Sequence, residues 1–316
     1  MKKLISFLLT LVLAFSLLTG CGTTAATPQA PAQEPADASK LQIVTTIFPI
    51  YDWVMNILGD QAANADVTML LDNGVDLHSF QPTADDIVRI ADCDLFIYVG
   101  GESDEWVEDA LQEATNKDMV VIDLMEVLGD AVKEEEVVEG MEAEDEESED
   151  GEEEVEYDEH VWLSLKNAAV LCKAFSLALG QIDGDNRSIY AANADAYIEK
   201  LNALDDQARA IVDGAKYDTL LFADRFPFRY LADDYGLHYY AAFVGCSAET
   251  EASFETIIFL AGKLDELGLP AALQIESADG SIARTVVENT QTKDQQILTM
   301  DSMQSTTAKD VAAGAD

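Results

Sequence analysis

The amino-acid sequence predicts an α/β protein built from two lobes, each a mainly parallel sheet covered by helices, with one long rigid helix between them. From Leu41 onward, apolar runs of strand length alternate with segments of helical period, which is typical of parallel sheets with helices on both faces. This alternation occurs twice. Between the two halves lies 187–212, a segment without Pro or Gly in which apolar residues recur at helical spacing. At about 1.5 Å per residue, such a helix spans roughly 39 Å, enough to cross a whole domain.

The first half begins with a run rich in Ile, Val and Thr, residues that favour strands. Further along, LFIYV has the uniformly apolar character of a strand buried on both faces. Pro82 stands where it opens a helix at the first turn. The predicted strands are 41–48, 67–71, 95–99 and 119–124, and the predicted helices are 51–58, 83–91 and 104–114.

The second half repeats this order, beginning with the apolar strand TLLFA. One of its helices is predicted to end at Gly268, with Pro270 beyond it, because glycine favours the left-handed end of a helix and proline cannot continue one. The predicted strands are 219–223, 238–243, 272–276 and 297–300, and the predicted helices are 227–235, 253–267 and 281–290.

The beginning of the chain is not expected to belong to the fold. Two lysines precede an apolar run that ends in Leu-Thr-Gly-Cys, a pattern typical of a secretory signal. The apolar run is too short, and wrongly flanked, for a transmembrane helix. Leu-Thr-Gly-Cys resembles a bacterial lipobox, which implies that the signal peptide, 1–20, is cleaved before Cys21 and that the Cys21 sulfur carries lipid. The alternative is an ordinary signal peptide. The rest of 21–40 is small, polar and Pro-rich, and we interpret it as a flexible tether.

Acidic residues dominate the charge: 61 Asp and Glu against 18 Lys and Arg give a formal net charge of −43. Nucleic-acid binding is therefore excluded, because the chain has no basic surface to neutralise phosphates. Within 134–159, 17 of the 26 residues are Asp or Glu, and self-repulsion without an apolar face predicts a disordered loop. Such dense carboxylates could also collect divalent cations weakly, since hard cations prefer oxygen ligands.

The chain contains three histidines. His78 follows the second predicted strand, and loops at the carboxyl ends of parallel strands form ligand crevices. His160 follows the acidic segment and precedes a helix, whereas His238 lies in a Tyr-rich strand and is expected to be structural. Two histidines at loop–helix junctions of an exported acidic protein suggest a divalent transition metal, either zinc, manganese or iron, with carboxylates completing the shell.

Four longer motifs sharpen this hypothesis. They are GVDLHSFQPT (74–83), DLFIYVGG (94–101), DEHVWLSLKNA (158–168) and FRYLADDYGL (228–237). In sequence and in order, these motifs resemble those of the zinc- and manganese-binding lipoproteins that serve metal ABC importers. The resemblance runs from about Leu41 to the end of the chain.

The resemblance implies a two-lobed binding protein, not an enzyme, with a metal buried at the lobe interface. His78 and His160 match the family's first and second ligand positions, and Asp301 resembles its last carboxylate ligand. Arg225 stands where the family places a His or Glu ligand, but a guanidinium has no lone pair for a cation. It could pair instead with a ligating carboxylate or with an anion. The expected ligands are thus His78, His160 and Asp301, with a fourth that is water or one of Asp224, Glu249 and Glu276.

The domain boundaries follow from the predicted strands and helices. We expect a first lobe over 41–185 that contains the acidic loop, a linking helix over 186–214, and a second lobe over 215–316. Members of the family continue with a further helix, so the second lobe is expected to be truncated. Cys246 falls in a loop of this lobe, where a role as a soft-metal ligand stays open.

These expectations describe a monomeric receptor, anchored by lipid to the extracytoplasmic face of the cell membrane, that captures Zn²⁺ and hands it to the permease of an ABC importer. The acidic insertion ahead of the second histidine favours zinc as the cargo. Three alternatives stay open: the same fold with Mn²⁺ or Fe²⁺ as cargo, an anion-binding receptor that uses Arg225, and a metal-dependent surface hydrolase. The hydrolase would need a general base beside the metal, and no motif supplies one.

Overall fold

The structure of the protein is a computed structural model that describes residues 40–142, 155–247 and 251–315. Cys21, the predicted signal peptide and all but the end of the predicted tether lie outside the described residues. Within the described ranges, none of the helices combines the length and the apolar character needed to span a membrane. The described residues form two four-stranded sheets in which all paired strands run parallel.

The first sheet consists of β1 (Leu41–Thr45), β2 (Ala65–Met69), β3 (Leu95–Tyr98) and β4 (Val120–Asp123). Its strand order is β2-β1-β3-β4, and Ile43 in β1 lies beside both Val67 and Leu95. The inner strands are buried because helices cover both faces of the sheet. These helices are α1 (Phe48–Leu58), α2 (Ala84–Asp92), α3 (Trp106–Gln112), α4 (Leu124–Leu128) and α5 (Leu165–Ile182).

Local sequence signals set where these helices begin. The predicted strand 41–48 is too long: β1 ends at Thr45, and α1 already begins at Phe48. Pro49 explains the difference, because proline lacks the N–H that a ladder needs but fits the first turn of a helix. Thr83 begins α2 with a capping box that it shares with Asp86.

The second sheet consists of β5 (Thr219–Arg225), β6 (His238–Phe243), β7 (Ala271–Ile275) and β8 (Gln296–Met300), in the order β6-β5-β7-β8. Its helices are α7 (Arg229–Tyr235), α8 (Phe254–Leu267), α9 (Ser281–Glu288) and α10 (Ala308–Ala313). As expected from the sequence, α8 ends at Gly268, which adopts the left-handed conformation with φ +60°.

A single long helix, α6 (Arg187–Asp213), lies between the two sheets in the chain. Its 27 residues span roughly 40 Å, and it packs along α1 and α5. At its far end, the Arg209 guanidinium donates to the Asp234 carbonyl oxygen of α7, 3.4 Å away. Two parallel sheets covered by helices and joined by this helix confirm the predicted fold class.

The apolar core crosses the boundary between the lobes. Aromatic side chains of β5 and of the loop after it, among them Phe222, Phe226 and Phe228, belong to the same buried cluster as the core of the first sheet. A second, smaller cluster lies between the second sheet and its helices α8 and α9. The lobes therefore share apolar packing where the carboxyl end of β5 approaches the first lobe.

The acidic segment predicted as a disordered loop, 134–159, is ordered at both ends. Glu134 and Tyr157 form an antiparallel bridge with each other, and Glu142 bridges to Phe243 at the end of β6. The prediction is corrected for these ends, because carboxylates there have partners in the second lobe. For example, the Glu139 carboxylate lies 3.5 Å from the Lys263 ammonium. Residues 143–154 lie outside the described residues.

Candidate metal centre

The loop that follows β2 positions His78. The chain makes one turn of 3-10 helix over Leu77–Ser79, and the Asp76 carboxylate caps it by accepting a hydrogen bond from the His78 backbone N–H at 3.1 Å. The His78 side chain is only 5% exposed. The sequence thus buries a histidine at the carboxyl end of a strand, where parallel sheets form ligand sites.

His160 is fully buried and directly precedes a turn of 3-10 helix, Val161–Leu163, that leads into α5. The Asp158 carboxylate accepts a hydrogen bond from its backbone N–H at 2.9 Å. The indole ring of Trp162 lies against the imidazole, with ring centroids 5.1 Å apart, and the Trp162 Nε1–H donates to the Ser302 carbonyl oxygen at 2.8 Å. Residues of both lobes therefore hold the segment that carries His160.

The two histidines face each other through the same ring atom. Their Nε2 atoms are 3.1 Å apart, and their ring centroids are 5.0 Å apart. The structure therefore brings together two of the three predicted ligands, which are 82 residues apart in the sequence.

Carboxylates contact the opposite nitrogen of each ring. The His160 Nδ1 lies 3.0 Å from the Asp158 carboxylate, and the His78 Nδ1 lies 3.4 Å from the Glu159 carboxylate and 2.8 Å from the Ser103 hydroxyl. Because an ionised carboxylate can only accept hydrogen bonds, these contacts favour a proton on each Nδ1. Both Nε2 lone pairs then point at one place, an arrangement that a shared cation stabilises.

Burial and charge act in opposite directions on these groups. Burial lowers the pKa of His160, but the Asp158 carboxylate outweighs it and holds that pKa above its usual range. Burial raises the pKa of Glu159, but His78 and the hydrogen bond from the Ser103 backbone N–H, at 2.8 Å, bring it below the usual range. The site thus keeps a carboxylate ionised although its side chain is only 3% exposed.

Cys246 completes a cluster with the two histidines. One ligand atom from each of His78, His160 and Cys246 lies within 4.8 Å of the others, and among the described residues this is the one such group. The Cys246 backbone N–H donates to the Glu135 carboxylate at 3.2 Å. Burial and the nearby carboxylates of Asp158 and Glu159 raise the pKa of the thiol well above its usual range.

Asp301, the third predicted ligand, lies outside this group. Its side chain is exposed at the end of β8, and its carboxylate accepts a hydrogen bond from the Met303 backbone N–H at 2.8 Å. Two of the candidates for a fourth ligand have partners in their own lobe. Asp224 accepts from the backbone N–H of Ile275, and Glu276 accepts from the backbone N–H and the hydroxyl of Ser302. The remaining candidate, Glu249, lies outside the described residues.

Arg225 links the two lobes. Its Nη2 donates to the Asp76 carboxylate at 2.8 Å, and its Nη1 donates to the Ser247 carbonyl oxygen at 3.1 Å. Both side chains of the ion pair are only 14% exposed. A cavity of about 360 Å³ borders this pair, and two further carboxylates, those of Asp224 and Asp279, also line it. This acidic lining does not favour a bound anion beside Arg225.

Sequence reasoning did not assign roles to the residues that hold the histidines. Asp158 and Glu159 directly precede His160, and this adjacency is the signal from which their role could have been found. No sequence pattern indicates the role of Ser103, because its hydroxyl comes close to His78 only in the folded chain. The sequence offers no evident partner for Cys246, because its two neighbours come from distant parts of the chain.

Comparisons with known proteins point to one family. A family model described as zinc-uptake complex component A, periplasmic, matches residues 43–313. The chain is 30% identical over 284 residues to the zinc-binding lipoprotein AdcA of Streptococcus pneumoniae serotype 4, covering 89% of this chain and 54% of that protein. It is 29% identical over 305 residues to the high-affinity zinc uptake system protein ZnuA of Bacillus subtilis, covering 96% of this chain and 91% of that protein. The chain spans about half the length of the AdcA relatives.

Solved structures agree with this result. The Zn(II)-bound ZnuA-like domain of Streptococcus pneumoniae AdcA superimposes with a TM-score of 0.66 at 27% identity, covering 88% of this chain and 93% of that one. The metal-dependent lipoprotein YcdH of Bacillus subtilis gives a TM-score of 0.67 at 25% identity, covering 87% and 92%. The predicted resemblance is confirmed, and with it the expectation of a binding protein rather than an enzyme. The chain belongs to the zinc-uptake complex component A family.

Proposed function

We propose that this protein is a lipid-anchored extracytoplasmic receptor that captures Zn²⁺ and delivers it to the permease of an ABC importer. Membership of a zinc-uptake family supports the cargo, and the names of relatives such as the zinc-binding lipoprotein AdcA support both the cargo and the anchor. The Leu-Thr-Gly-Cys motif at Cys21 supports lipidation of this chain.

One observation carries the metal-binding part of the proposal: the 3.1 Å between the Nε2 atoms of His78 and His160. A tetrahedral zinc ion with Zn–N bonds of about 2.0–2.1 Å has neighbouring nitrogen ligands about 3.3 Å apart. The two imidazoles are therefore already within a few tenths of an ångström of the edge of such a site. Carboxylates at both Nδ1 atoms are the partners that fix ring orientation in zinc proteins.

Charge and ligand type favour zinc over the alternative cargoes. Neutral imidazole nitrogens bind zinc more tightly than manganese or ferrous iron, which come lower in the order of divalent affinities. A divalent cation buried beside His160 also needs negative charge nearby, and the carboxylates of Asp158 and Glu159 are placed to supply it. We therefore propose His78 and His160 as the two imidazole ligands. Asp301, exposed and outside the group, is not among the ligands that the geometry favours.

The test compares His78→Ala and His160→Ala with His238→Ala as a matched control, since His238 is exposed at the start of β6. Zinc content and competition with excess Mn²⁺ are measured on the purified full-length chain. We expect one tightly held Zn²⁺ in the wild type and in the control, with no displacement by Mn²⁺, and loss of stoichiometric zinc in the other two variants. A chain that carries both His78→Ala and His160→Ala is also measured, and unchanged zinc content in it would overturn the proposed site.

Anchoring and delivery need separate experiments in the native host. Cys21→Ala should move the chain from the membrane fraction to the soluble extracytoplasmic fraction without changing its zinc stoichiometry. Zinc uptake into cells should require the histidine pair, so His160→Ala should slow growth at limiting zinc but not at abundant zinc. Equal zinc uptake at limiting zinc by cells with the wild-type chain and cells with His160→Ala would argue against delivery of zinc to the importer.

A further inference from the structure

The loop after β6 brings a sulfur atom to the histidine pair. The Sγ of Cys246 and one nitrogen each from His78 and His160 lie within 4.8 Å of one another. The two histidines come from the first lobe, whereas Cys246 comes from the second. Cys246 is the residue that the second lobe contributes to this cluster. In the same lobe, Arg225 stands at a position where the resemblance to the family implies a metal ligand.

We propose that Cys246 is the third metal ligand, so that the two imidazoles and one thiolate form a His₂Cys site across the lobe interface. This inference rests on the proposed function and extends it by naming the ligand that the second lobe contributes. A thiolate and two imidazoles are all established zinc ligands, with Zn–S bonds of about 2.3 Å.

Other second-lobe candidates have different partners. The Asp224 carboxylate accepts hydrogen bonds from the backbone N–H groups of Ile275 and Arg225, at 3.0 and 2.9 Å. Glu276 accepts three hydrogen bonds, from the backbone N–H and hydroxyl of Ser302 and from the hydroxyl of Ser305. Among the described residues, neither carboxylate joins the histidine pair.

Three contacts hold the loop in place beside the pair. The Cys246 backbone N–H donates to the Glu135 carboxylate at 3.2 Å, and the next residue, Ser247, accepts from the Arg225 guanidinium at 3.1 Å. Gly245 lies so close to His160 that a Cβ there would be 3.1 Å from the imidazole Nδ1 and 3.0 Å from the Phe226 carbonyl oxygen. The Arg225 guanidinium has no lone pair with which to bind a metal, but its hydrogen bond to Ser247 positions the loop that carries the Cys246 sulfur.

Binding through Cys246 is an exchange of a proton for the metal. The thiol is protonated before metal binds, because it is buried near carboxylates. When Zn²⁺ binds, the S–H bond breaks, the S–Zn bond forms, and the proton leaves to solvent, so binding through the sulfur releases one proton. Thiolate is a soft ligand that favours zinc over manganese, so this ligand would also reject the hard cation Mn²⁺.

Cobalt(II) is the probe that tests the proposal, because thiolate ligation gives it a near-ultraviolet charge-transfer band that imidazole and carboxylate ligands lack. The full-length wild type and the matched control Cys93→Ala should show this band, since Cys93 is buried in the first-lobe core. Cys246→Ala should lose the band and bind Zn²⁺ at least roughly 100-fold more weakly, because removal of even an outer-shell partner costs 10- to 100-fold. Thermal unfolding of the two variants reports whether each is folded.

A second measurement uses the wild type alone. X-ray absorption at the zinc edge of the Zn²⁺-bound chain should show sulfur at about 2.3 Å from the metal, beside nitrogen at about 2.0–2.1 Å. A Co²⁺ complex without the thiolate band, or a zinc site without sulfur at that distance, would overturn the role of Cys246 and leave the histidine site standing. Stoichiometric Zn²⁺ in the double variant of His78 and His160 would overturn the proposed function, and the His₂Cys site with it.

Discussion

Both sheets end in polar side chains, but the two ends use them differently. At the first-lobe end, His78 and His160 turn their Nε2 atoms toward each other, while carboxylates contact the opposite ring nitrogens. At the second-lobe end, carboxylates such as Asp224 and Glu276 accept hydrogen bonds from their own lobe. The first end thus turns two imidazole nitrogens toward one point, whereas the carboxylates of the second end are held by groups of their own lobe.

This difference shows how a site between two lobes can be divided unequally. The first lobe supplies both imidazoles and the residues that orient them. The second lobe supplies contacts that hold the interface, such as the ion pair of Arg225 with Asp76. Through Cys246, it also supplies the proposed sulfur ligand. Changes at the first-lobe end should therefore disturb metal binding and stability together, whereas changes at the second, apart from those at Cys246, should mainly loosen the contact between lobes.

One acid at the first-lobe end should make a large contribution to the pH dependence of stability. The backbone N–H groups of Val99 and Gly100 donate to one oxygen of Asp104, and the other oxygen is buried with no hydrogen-bond partner among the described residues. Burial raises the pKa of Asp104 from 3.8 to about 7. Between these values the folded chain keeps a proton that the unfolded chain has lost. The free energy of unfolding should therefore fall by about 1.4 kcal/mol per pH unit as the pH rises, on the order of 4 kcal/mol in all.

Asp104→Asn should remove this slope, because the amide can still accept both hydrogen bonds but carries no charge. Urea unfolding of the metal-free chain between pH 4 and pH 8 measures the effect as the difference between variant and wild type. The exposed Asp195, replaced by Asn, is the control and should keep the wild-type slope. If Asp104→Asn keeps it as well, the pH dependence lies elsewhere.

The next largest effect is expected at Gly101, which has φ +80° and lies against the Glu159 carboxylate. In Gly101→Ala, the new Cβ would overlap that carboxylate and displace it from the Ser103 N–H and from His78. We expect a loss of about 3 kcal/mol of stability, part from backbone strain and part from the displaced carboxylate, together with weaker zinc binding. Gly129→Ala has a similar φ of +51° but no atom within 4 Å of its Cβ, so it isolates the strain. Equal losses in both variants, with zinc affinity unchanged, would refute a role for Glu159.

Much of the fold could be predicted from the sequence because its signals are local. Apolar runs and helical spacing placed every strand of both sheets to within a few residues, and Gly268 ended α8 as expected. The predicted strand 41–48 is too long because the prediction did not take into account Pro49, which favours the first turn of a helix. The ordered ends of the acidic segment could not be predicted, because their partners, such as Lys263 and Phe243, lie about a hundred residues away in the second lobe.

The site was predictable only in part, for the same reason. His78 and His160 carried motif signals that placed them at loop–helix junctions, and the fold brings them together. The sequence has no local pattern that joins Cys246 to them, because the three residues meet only after both lobes have formed. Arg225 departs from the family pattern already in the sequence. Its ion pair with Asp76 could not be predicted, because the two residues are 149 positions apart.

The ion pair of Arg225 with Asp76 tests the second lobe's part in the interface. Arg225→Met would leave the largely buried Asp76 carboxylate without its cation, and we expect a loss of about 2 kcal/mol, between the values for exposed and buried pairs. The pKa of Asp76, which burial raises but Arg225 and His78 bring below its usual range, should rise in the variant. The exposed Arg284, replaced by Met, should change stability by less than about 0.5 kcal/mol. A double-mutant cycle with Asp76→Asn should show coupling, and its absence would mean that the pair does not stabilise the interface.

The smallest effect should separate a carboxylate that joins the lobes from one that does not. Asp234 of α7 accepts hydrogen bonds from the Ser164 hydroxyl and the Lys166 ammonium at the start of α5, both at 2.6 Å. Asp195 forms an exposed ion pair with Lys173 on the neighbouring helix. Asp234→Ala should cost about 1 kcal/mol, because the hydroxyl loses its partner, whereas Asp195→Ala should cost a few tenths, as exposed ion pairs do. Urea unfolding resolves this difference. Equal costs would mean that this polar contact does not help to hold the lobes together.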